Sequence, residues 1–437
     1  MAGEWRAATV SELQREGILL VEDGNHGEYR PRPDEFVDDG PAFIRAADID
    51  DGRVFFESAS KINERARQRI TKGIGAPGDV LLSHKGTVGK VALVPENAPP
   101  FVCSPQTTFW RTVDPGSLDR RYLYAFMRSS GFHAQLATRA GETDMAPYVS
   151  LTSQRGLSLT LPPINTQRAI ARILGTLDDK IALNRLTNET LEAAARALFK
   201  SWFVDFAPVR AKAKGGDPGL PKRVGDLFAD SLEGSNLGEI PSGWKVCDIY
   251  GISDVVYGAP FRSTLFREMG SGRPLIRIRD LSHHNPTIFT TEEHPRGYLV
   301  QPGDLIVGMD GEFRAHLWRG PEAWLNQRLC CFRPRPLIPR AFVRYSIERL
   351  LDFFERSKTG TTVIHLGKND IDTFRVVVPP RPLLEVFGFV VDPIDTRLLA
   401  SALGSRTLAA LRDKLLPKLI SGEVRVNDAE RFVGGRA

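Results

Sequence analysis

The most constraining stretch of this 437-residue chain is PPINTQRAIARILGTLDDKIALNRLTNETLEAAARALFKSWFVDF, Pro162 to Phe206. It opens on a Pro-Pro break, after which Asn165 or Thr166 can cap the first free N–H groups of a helix. From there about forty residues run with no Pro and one Gly, and a periodic pattern beyond roughly 25 residues suggests a coiled coil. Apolar residues follow the a/d seam of a heptad: Leu174, Leu177, Ile181, then Leu191, Ala195, Leu198 and Trp202. Asn184 and Asn188 take the two middle positions, where polar residues set register at a cost in stability.

The same stretch returns 217 residues later. Pro162 and Pro163 become Pro379 and Pro380, and the seam becomes Val391, Ile394, Leu398, Leu408, Arg412, Leu415 and Leu419. The polar gap is repeated as Ser401 and Ser405. Two copies of one long amphipathic helix, half a chain apart, are expected to partner each other. Pro417, inside the last turns of the second copy, is expected to bend it.

The residues before each helix repeat as well. Trp5 matches Trp244, FIRAADI at Phe43 matches LIRIRDL at Leu275, GDVLLS at Gly78 matches GDLIVG at Gly303, and Gln106 matches Gln327. The offset falls in chain order, 239, 232, 225 and 221, before settling at 217, which marks a diverged tandem duplication with shorter loops in the second copy. Each unit reads as short strands between Gly/Pro/Asp turns, an amphipathic helix such as RRYLYAFMRSSGFHAQL, and then the long helix. The expected fold class is α/β (α+β): two similar globular domains separated by two long antiparallel coiled-coil helices, with an internal pseudo-two-fold repeat. The boundaries are 1–161 and 240–378 for the globules, 162–207 and 379–426 for the helices, 208–239 for a partly packed linker, and 427–437 for a tail.

Composition limits the function. At 42% hydrophobic and 25% charged residues the chain reads as a globular protein, with no run apolar enough to span a membrane and no signal-peptide core, so a cytoplasmic protein is expected. Cys103, Cys247, Cys330 and Cys331 form no C-x-x-C pair and read as reduced packing residues. There is no phosphate-loop or dinucleotide-binding glycine pattern, no nucleophile elbow and no H-E-x-x-H. NPTI at Asn285 lacks the second Pro and the aromatic of an adenine-methyltransferase tetrapeptide, and KGTVGK is better read as a hairpin turn. Asp310 and Glu312 sit two apart on a possible strand, but no third ligand completes a metal site, and His283-His284 reads as a polar loop.

Charge permits a polyanionic partner without demanding one. The net charge is +5, and two stretches are locally basic: Lys61 to Lys72, and Phe261 to Asp280. In the corresponding halves of the chain these suit phosphate contacts. Arg or Lys suits guanine, Asn or Gln adenine, and apolar groups the thymine methyl. If the polyanion is DNA, the candidate contacting residues on expected loops are His26, Tyr29, Arg30, Arg32, Lys85 and Thr87 in the first domain, and Phe261, Arg262, Arg277, Arg279 and Arg314 in the second.

The chain resembles the specificity (S) subunit of type I restriction-modification enzymes over essentially its whole length. PPINTQRAIARILGTLDDKI, ending ALFKSWFVDF, is similar to the family's central conserved region, and the second copy, closing on S-G-E, to its C-terminal one. The second copy departs by placing Leu384 or Glu385 where the family has Gln. The resemblance implies that the globules are target-recognition domains reading a split sequence in double-stranded DNA. It also implies two modification (methyltransferase) subunits bound around the helices, and restriction (translocase/nuclease) subunits. No cofactor is expected in this chain; S-adenosylmethionine, ATP and Mg belong on those partners. Phe203, off the seam at the helix end, is the expected partner-binding residue. A seam of roughly 43 Å would act as a ruler, leaving an unread gap of roughly 5–8 bp between half-sites. The alternatives are a self-contained DNA-modifying enzyme with an unfamiliar motif and a protein scaffold that binds no DNA.

Overall fold

The structure, a computed structural model, describes residues 5–24, 26–140, 147–268, 271–357, 364–426 and 428–429. Residues 1–4 of the first expected domain lie outside the described residues, as does the expected tail apart from Asp428 and Ala429. The chain divides into two compact units, Met1–Ile181 with Thr407–Ala437, and Ala182–Arg406.

In the first unit a four-stranded antiparallel sheet runs in the order Leu19–Asp23, Thr107–Thr112, Val80–Ser83, Val91–Leu93. Period-two alternation divides its side chains between two cores. Val80, Leu82 and Trp110 join the helices Arg120–Met127 and Ser130–Ala140, while Leu81, Ala92 and Phe109 join Phe101 and Ile44. A second sheet pairs Phe36–Ile44 antiparallel with Lys61–Ile62 and parallel with Phe101–Cys103. Arg6–Thr9 pairs with Ser158–Leu161.

The second unit repeats the four-stranded sheet and the parallel pairing beside it, and its second sheet has five strands rather than three. Its four-stranded sheet runs Ser253–Tyr257, Leu329–Pro334, Leu305–Gly308, Ala315–Leu317. Arg273–Ile276 pairs parallel with Ala323–Leu325, and Lys245–Asp248 pairs with Arg375–Val378. The same alternation sends Cys330 to one core and Cys331 to the other, so the adjacent cysteines face opposite sides; all four cysteines are free thiols. Both units turn into a central strand through a glycine with positive φ, Gly78 at +83° and Gly303 at +98°. In each, the next aspartate accepts a hydrogen bond from a backbone N–H three residues earlier, Ala76 to Asp79 at 2.7 Å and Gln301 to Asp304 at 2.9 Å.

The long helices run Ile164–Phe203 and Arg381–Ile420. In the first unit, Ile170, Leu174 and Leu177 pack with Leu415 and Leu419, and Arg412 Nη1 donates to Asp178 at 2.6 Å. In the second, Ala195, Phe199 and Trp202 pack with Val391, Phe387 and Leu383, and Asn184 Nδ2 donates to Ser405 Oγ at 3.1 Å. In both units rising numbers on one helix meet falling numbers on the other, so the helices are antiparallel. Gln167, fully buried, anchors the first helix start: its Oε1 accepts from Asp119 N, and its Nε2 donates to the carbonyls of Ser117 and Pro162.

The second helix runs unbroken through Pro417, where a bend is expected, and also through Pro393. Both prolines lie on exposed positions, where water can satisfy the freed carbonyls. RRYLYAFMRSSGFHAQL forms two helices, because the Ser129 hydroxyl accepts from Phe132 N at 3.3 Å and caps the second. The expected linker is mostly exposed, as a partly packed stretch should be, but it carries regular structure. It contains the helix Ala207–Ala213 and an antiparallel hairpin of Leu232–Ser235 with Gly238–Pro241, and it buries Phe228 with its ring 5.2 Å from that of Trp202. Among the described residues no helix is long and apolar enough to cross a membrane.

In the second unit an ion network ties the first long helix to the globule. Glu192 accepts from Arg319 Nη2 at 2.7 Å and pairs with Arg344 Nη1 at 2.8 Å, and Arg344 also bonds Glu348 at 3.2 Å. The Arg344 side chain is only 10% exposed, so removing Glu192 leaves two arginines at the site, Arg344 and Arg319, with Glu348 alone to balance buried positive charge. Glu192→Ala is expected to destabilise the protein by roughly 3 kcal/mol, by the penalty for breaking a buried pair. Glu385→Ala, which breaks the exposed pair with Arg381, is expected to lose less than about 1 kcal/mol. Urea denaturation followed by tryptophan fluorescence checks the contrast, and equal losses would show that the network is not what fastens helix to globule.

Candidate nucleic-acid interface

The first unit's recognition candidates lie on the loop after Leu19–Asp23. Gly24 begins it because a Cβ there would fall 2.0 Å from the carbonyl oxygen of Cys103. The loop is held from beneath by Glu35, whose side chain is 2% exposed. Its carboxylate accepts from Arg32 N at 2.8 Å and from both Arg69 Nη1 at 2.8 Å and Nη2 at 2.5 Å. Arg69 Nη2 also donates to the Arg30 carbonyl at 3.3 Å. Arg69 closes the helix Glu64–Arg69, whose first turn is capped by Asn63 Oδ1 accepting from Ala66 N at 2.9 Å. One buried ion pair thus sets the path of residues 30–35 and leaves the Tyr29, Arg30 and Arg32 side chains on the surface.

His26 is not a surface reader. Its side chain is buried, its Nε2 lies 2.9 Å from the Cys103 carbonyl, and burial pushes its pKa down. Its contribution is to a cavity of about 240 Å³ lined also by Gly27, Glu28, Tyr29, Thr71 and Lys72. Lys85 and Thr87 are exposed between Val80–Ser83 and Val91–Leu93, with the Lys85 ammonium 5.7 Å from the centre of the Tyr148 ring. Of the basic stretch, Arg69 is structural, while Arg65 and Lys72 are exposed. Arg45, exposed over the rings of Phe36 and Phe43 at 5.6 and 5.8 Å, escaped the sequence reading. The signal for it was present, because the FIRAADI/LIRIRDL match aligns it with Arg277.

In the second unit Phe261 is corrected from reader to core. It is 5% exposed, between the rings of His294 at 5.6 Å and Trp324 at 5.7 Å. Arg277 is committed to the scaffold: its backbone N–H and its Nε both donate to Asp280, and Nη2 donates to Thr287 at 2.9 Å. Arg314 is neutralised by Glu355, 2.6 Å away, with Asp352 at 3.4 Å. For Phe261 and Arg314 an aromatic or an acid from another element, invisible to local sequence, claims the side chain, whereas Arg277 is held by Asp280, three residues on. Arg262 and Arg279 are exposed. Arg262 is steadied by Glu292, which accepts its backbone N–H at 2.8 Å and lies 3.4 Å from its Nε, and Arg279 has no ion pair among the described residues.

Phe203 is likewise corrected. Its ring is 5% exposed and packs against Phe387 at 5.0 Å, Phe342 at 5.2 Å and Trp244 at 5.9 Å, so it holds the globule to the helix end. Asp310 is paired rather than poised for metal, with His365 Nδ1 2.7 Å away, and among the described residues no group of three His, Cys, Asp or Glu side chains could hold a metal ion. His284 of the polar pair is tucked against Trp318, ring centres 5.4 Å apart, and burial pushes its pKa down to about 3.

A protein-family model described as the type I restriction modification DNA specificity domain matches residues 34–193. The chain is similar to the type I restriction enzyme MjaIX specificity subunit of Methanocaldococcus jannaschii, 26% identical over 84% of this chain and 82% of that one. It is also similar to the HindI specificity subunit of Haemophilus influenzae, 24% identical over 64% of this chain and 71% of that one. In fold it resembles a crystal structure of the type I restriction-modification S subunit from M. genitalium, with a TM-score of 0.54, 16% identity, and coverage of 95% and 96% of the two chains.

The clamp beneath the first loop makes a pH prediction. Bonding to Arg69, then to the Arg32 N–H, holds the Glu35 carboxyl down to about 2 from an ordinary 4.5. A depressed pKa contributes stability that is present above the ordinary value and lost as pH falls toward the folded one. Amide exchange in residues 30–36, corrected for its intrinsic pH dependence, is therefore expected to stay slow from about pH 8 to 5 and to quicken between about 4.5 and 2. Glu35→Gln should exchange about tenfold faster at neutral pH and lose that pH dependence; exchange indifferent to the substitution would contradict the clamp.

Proposed function

Because this chain belongs to the family of type I restriction-modification specificity subunits, we propose that it reads a bipartite sequence in double-stranded DNA, with 1–161 responsible for one half-site and 240–378 for the other. In this reading the chain performs no chemistry. Two modification subunits supply the adenine methyltransferase with its S-adenosylmethionine, and restriction subunits supply the ATP- and Mg-dependent translocase and nuclease.

The observation that carries the proposal is the repeat itself. The two units share the strand order of their four-stranded sheets and a glycine–aspartate turn at matching places, yet expose different residues at matching loops. Arg45 lies free over two rings in the first unit, while its counterpart Arg277 is locked to Asp280 and the nearby Arg279 is exposed. A shared scaffold with divergent exposed cations and amides suits two different short sequences, because phosphate contacts position a protein and base contacts specify the target. With Phe203 buried, the outer faces of the long helices remain the surface for the modification subunits; there Leu183, Leu186 and Leu403 are 58%, 59% and 66% exposed.

Exchange of residues 1–161 for the corresponding domain of another family member tests the reading. In complex with the modification subunits, the hybrid is expected to methylate adenine in a target with one half replaced and the other intact. A target rewritten in both halves, or left unchanged, would defeat the modular assignment.

A further inference from the structure

The matched pair Gln106 and Gln327 stands out against the loops described above. In the first unit Gln106 ends the turn from Phe101–Cys103 into Thr107–Thr112; in the second, Gln327 lies in the turn from Ala323–Leu325 into Leu329–Pro334. Each turn joins the strand paired parallel to the match containing Arg45 or Arg277 with a central strand of the four-stranded sheet. Both glutamines are exposed. Gln106 makes one long side-chain hydrogen bond, accepting from Ala46 N at 3.4 Å, and the Gln327 amide makes none among the described residues. The scaffold therefore leaves both amides largely unused.

The second turn is rigid although its side chains face solvent. Gln327 N donates to the Ala259 carbonyl at 2.8 Å, and the Arg328 carbonyl accepts from Met309 N at 2.9 Å. Gly258 presses so close that a Cβ there would lie 1.9 Å from the Asn326 carbonyl oxygen. Arg328 itself has φ +68°, a left-handed conformation that bulky side chains rarely adopt and that persists where surroundings impose it. Its side chain is 57% exposed, with Nε 3.7 Å from Asp310 Oδ2 and Nη1 3.2 Å from His365 Nδ1. Those neighbours orient the guanidinium from one side and leave Nη2 without a hydrogen bond among the described residues.

We propose that the Asn326–Gln327–Arg328 turn reads base edges of the second half-site in the DNA major groove, Arg328 pairing with guanine O6 and N7 and Gln327 with adenine N6 and N7, and that Gln106 holds the corresponding adenine-reading place in the first unit. The inference rests on the DNA-reading function proposed above and adds the residues that discriminate bases. An amide offers a donor and an acceptor together, which matches adenine, and a guanidinium offers two parallel donors, which match guanine. A rigid backbone under exposed side chains limits the conformational freedom lost on binding.

The test uses the chain in complex with its modification subunits and a set of duplexes in which each target position is substituted in turn, with binding measured by competition at several salt concentrations. Arg328→Ala is expected to reduce discrimination at one guanine of the second half-site by about 10- to 100-fold, with first-half discrimination and the salt slope unchanged. Arg328→Gly, which eases the positive φ while removing the same side chain, should do likewise and guards against misfolding. Gln327→Ala and Gln106→Ala should each relax one adenine, in the second and first half-site respectively. Unchanged discrimination, or a uniform loss over all duplexes with a salt slope shallower by about 1, would overturn the inference, the latter marking Arg328 as a phosphate contact. A wild-type complex that discriminates no sequence would overturn the underlying reading as well.

Discussion

The antiparallel register of the two long helices is the constraint on which the rest of the structure depends. A single forty-residue amphipathic helix cannot bury its apolar stripe alone, and the duplication supplies its partner. Register is set by the polar interruption. Shifted by 217, Asn184 becomes Ser401 and Asn188 becomes Ser405, so the bond of Asn184 to Ser405 joins one polar position of the first repeat to the opposite one of the second. Asn188 and Ser401 are 7% and 5% exposed, and polar groups so placed penalise any slip that sets them against leucine. Arg412, standing where the first repeat has Ala195, does similar work in the first unit through Asp178, which also accepts from Arg128 at 2.8 Å.

Each globule is fastened to its own part of this pair by chemistry its partner repeat lacks. The first unit uses Gln167, which bonds the start of one long helix to the start of the helix Arg120–Met127. Its counterpart Leu384 is a buried apolar residue, and the second unit relies instead on the aromatic cluster around Phe203 and on the Glu192–Arg344 network. Duplication preserved geometry while the contacts diverged. The same freedom at exposed loops is what a protein needs to read two unlike half-sites from one scaffold, since exposed loop residues can change without disturbing the core.

The sequence revealed what is periodic or repeated and missed what depends on distant contacts. The heptad seam and the 217-residue shift announced both long helices, and the falling offset announced the second globule. The Ser129 break and the folding of the 208–239 stretch were hidden, because a single hydroxyl cap decides the first and the Trp202–Phe228 contact the second. Among the interface candidates, Tyr29, Arg30, Arg32, Lys85, Thr87, Arg262 and Arg279 lie on the surface, whereas His26, Phe261, Arg277, Arg314 and Phe203 are held by the scaffold. Residue type alone cannot separate these sets: an arginine beside Glu355 and one beside water look the same in a string of letters. The positive φ of Arg328, the sharpest pointer to a reading turn, is a backbone property with no signature in residue type.

The central claim is that the chain is a non-catalytic reader whose two units each recognise half of one DNA target. The most direct measurement is genome-wide mapping of methylated adenine in a host that carries the modification subunits with and without this chain. The account predicts one new bipartite motif, two short defined halves around an unread gap, present only with the chain. A continuous motif, or the same methylation in its absence, would contradict it.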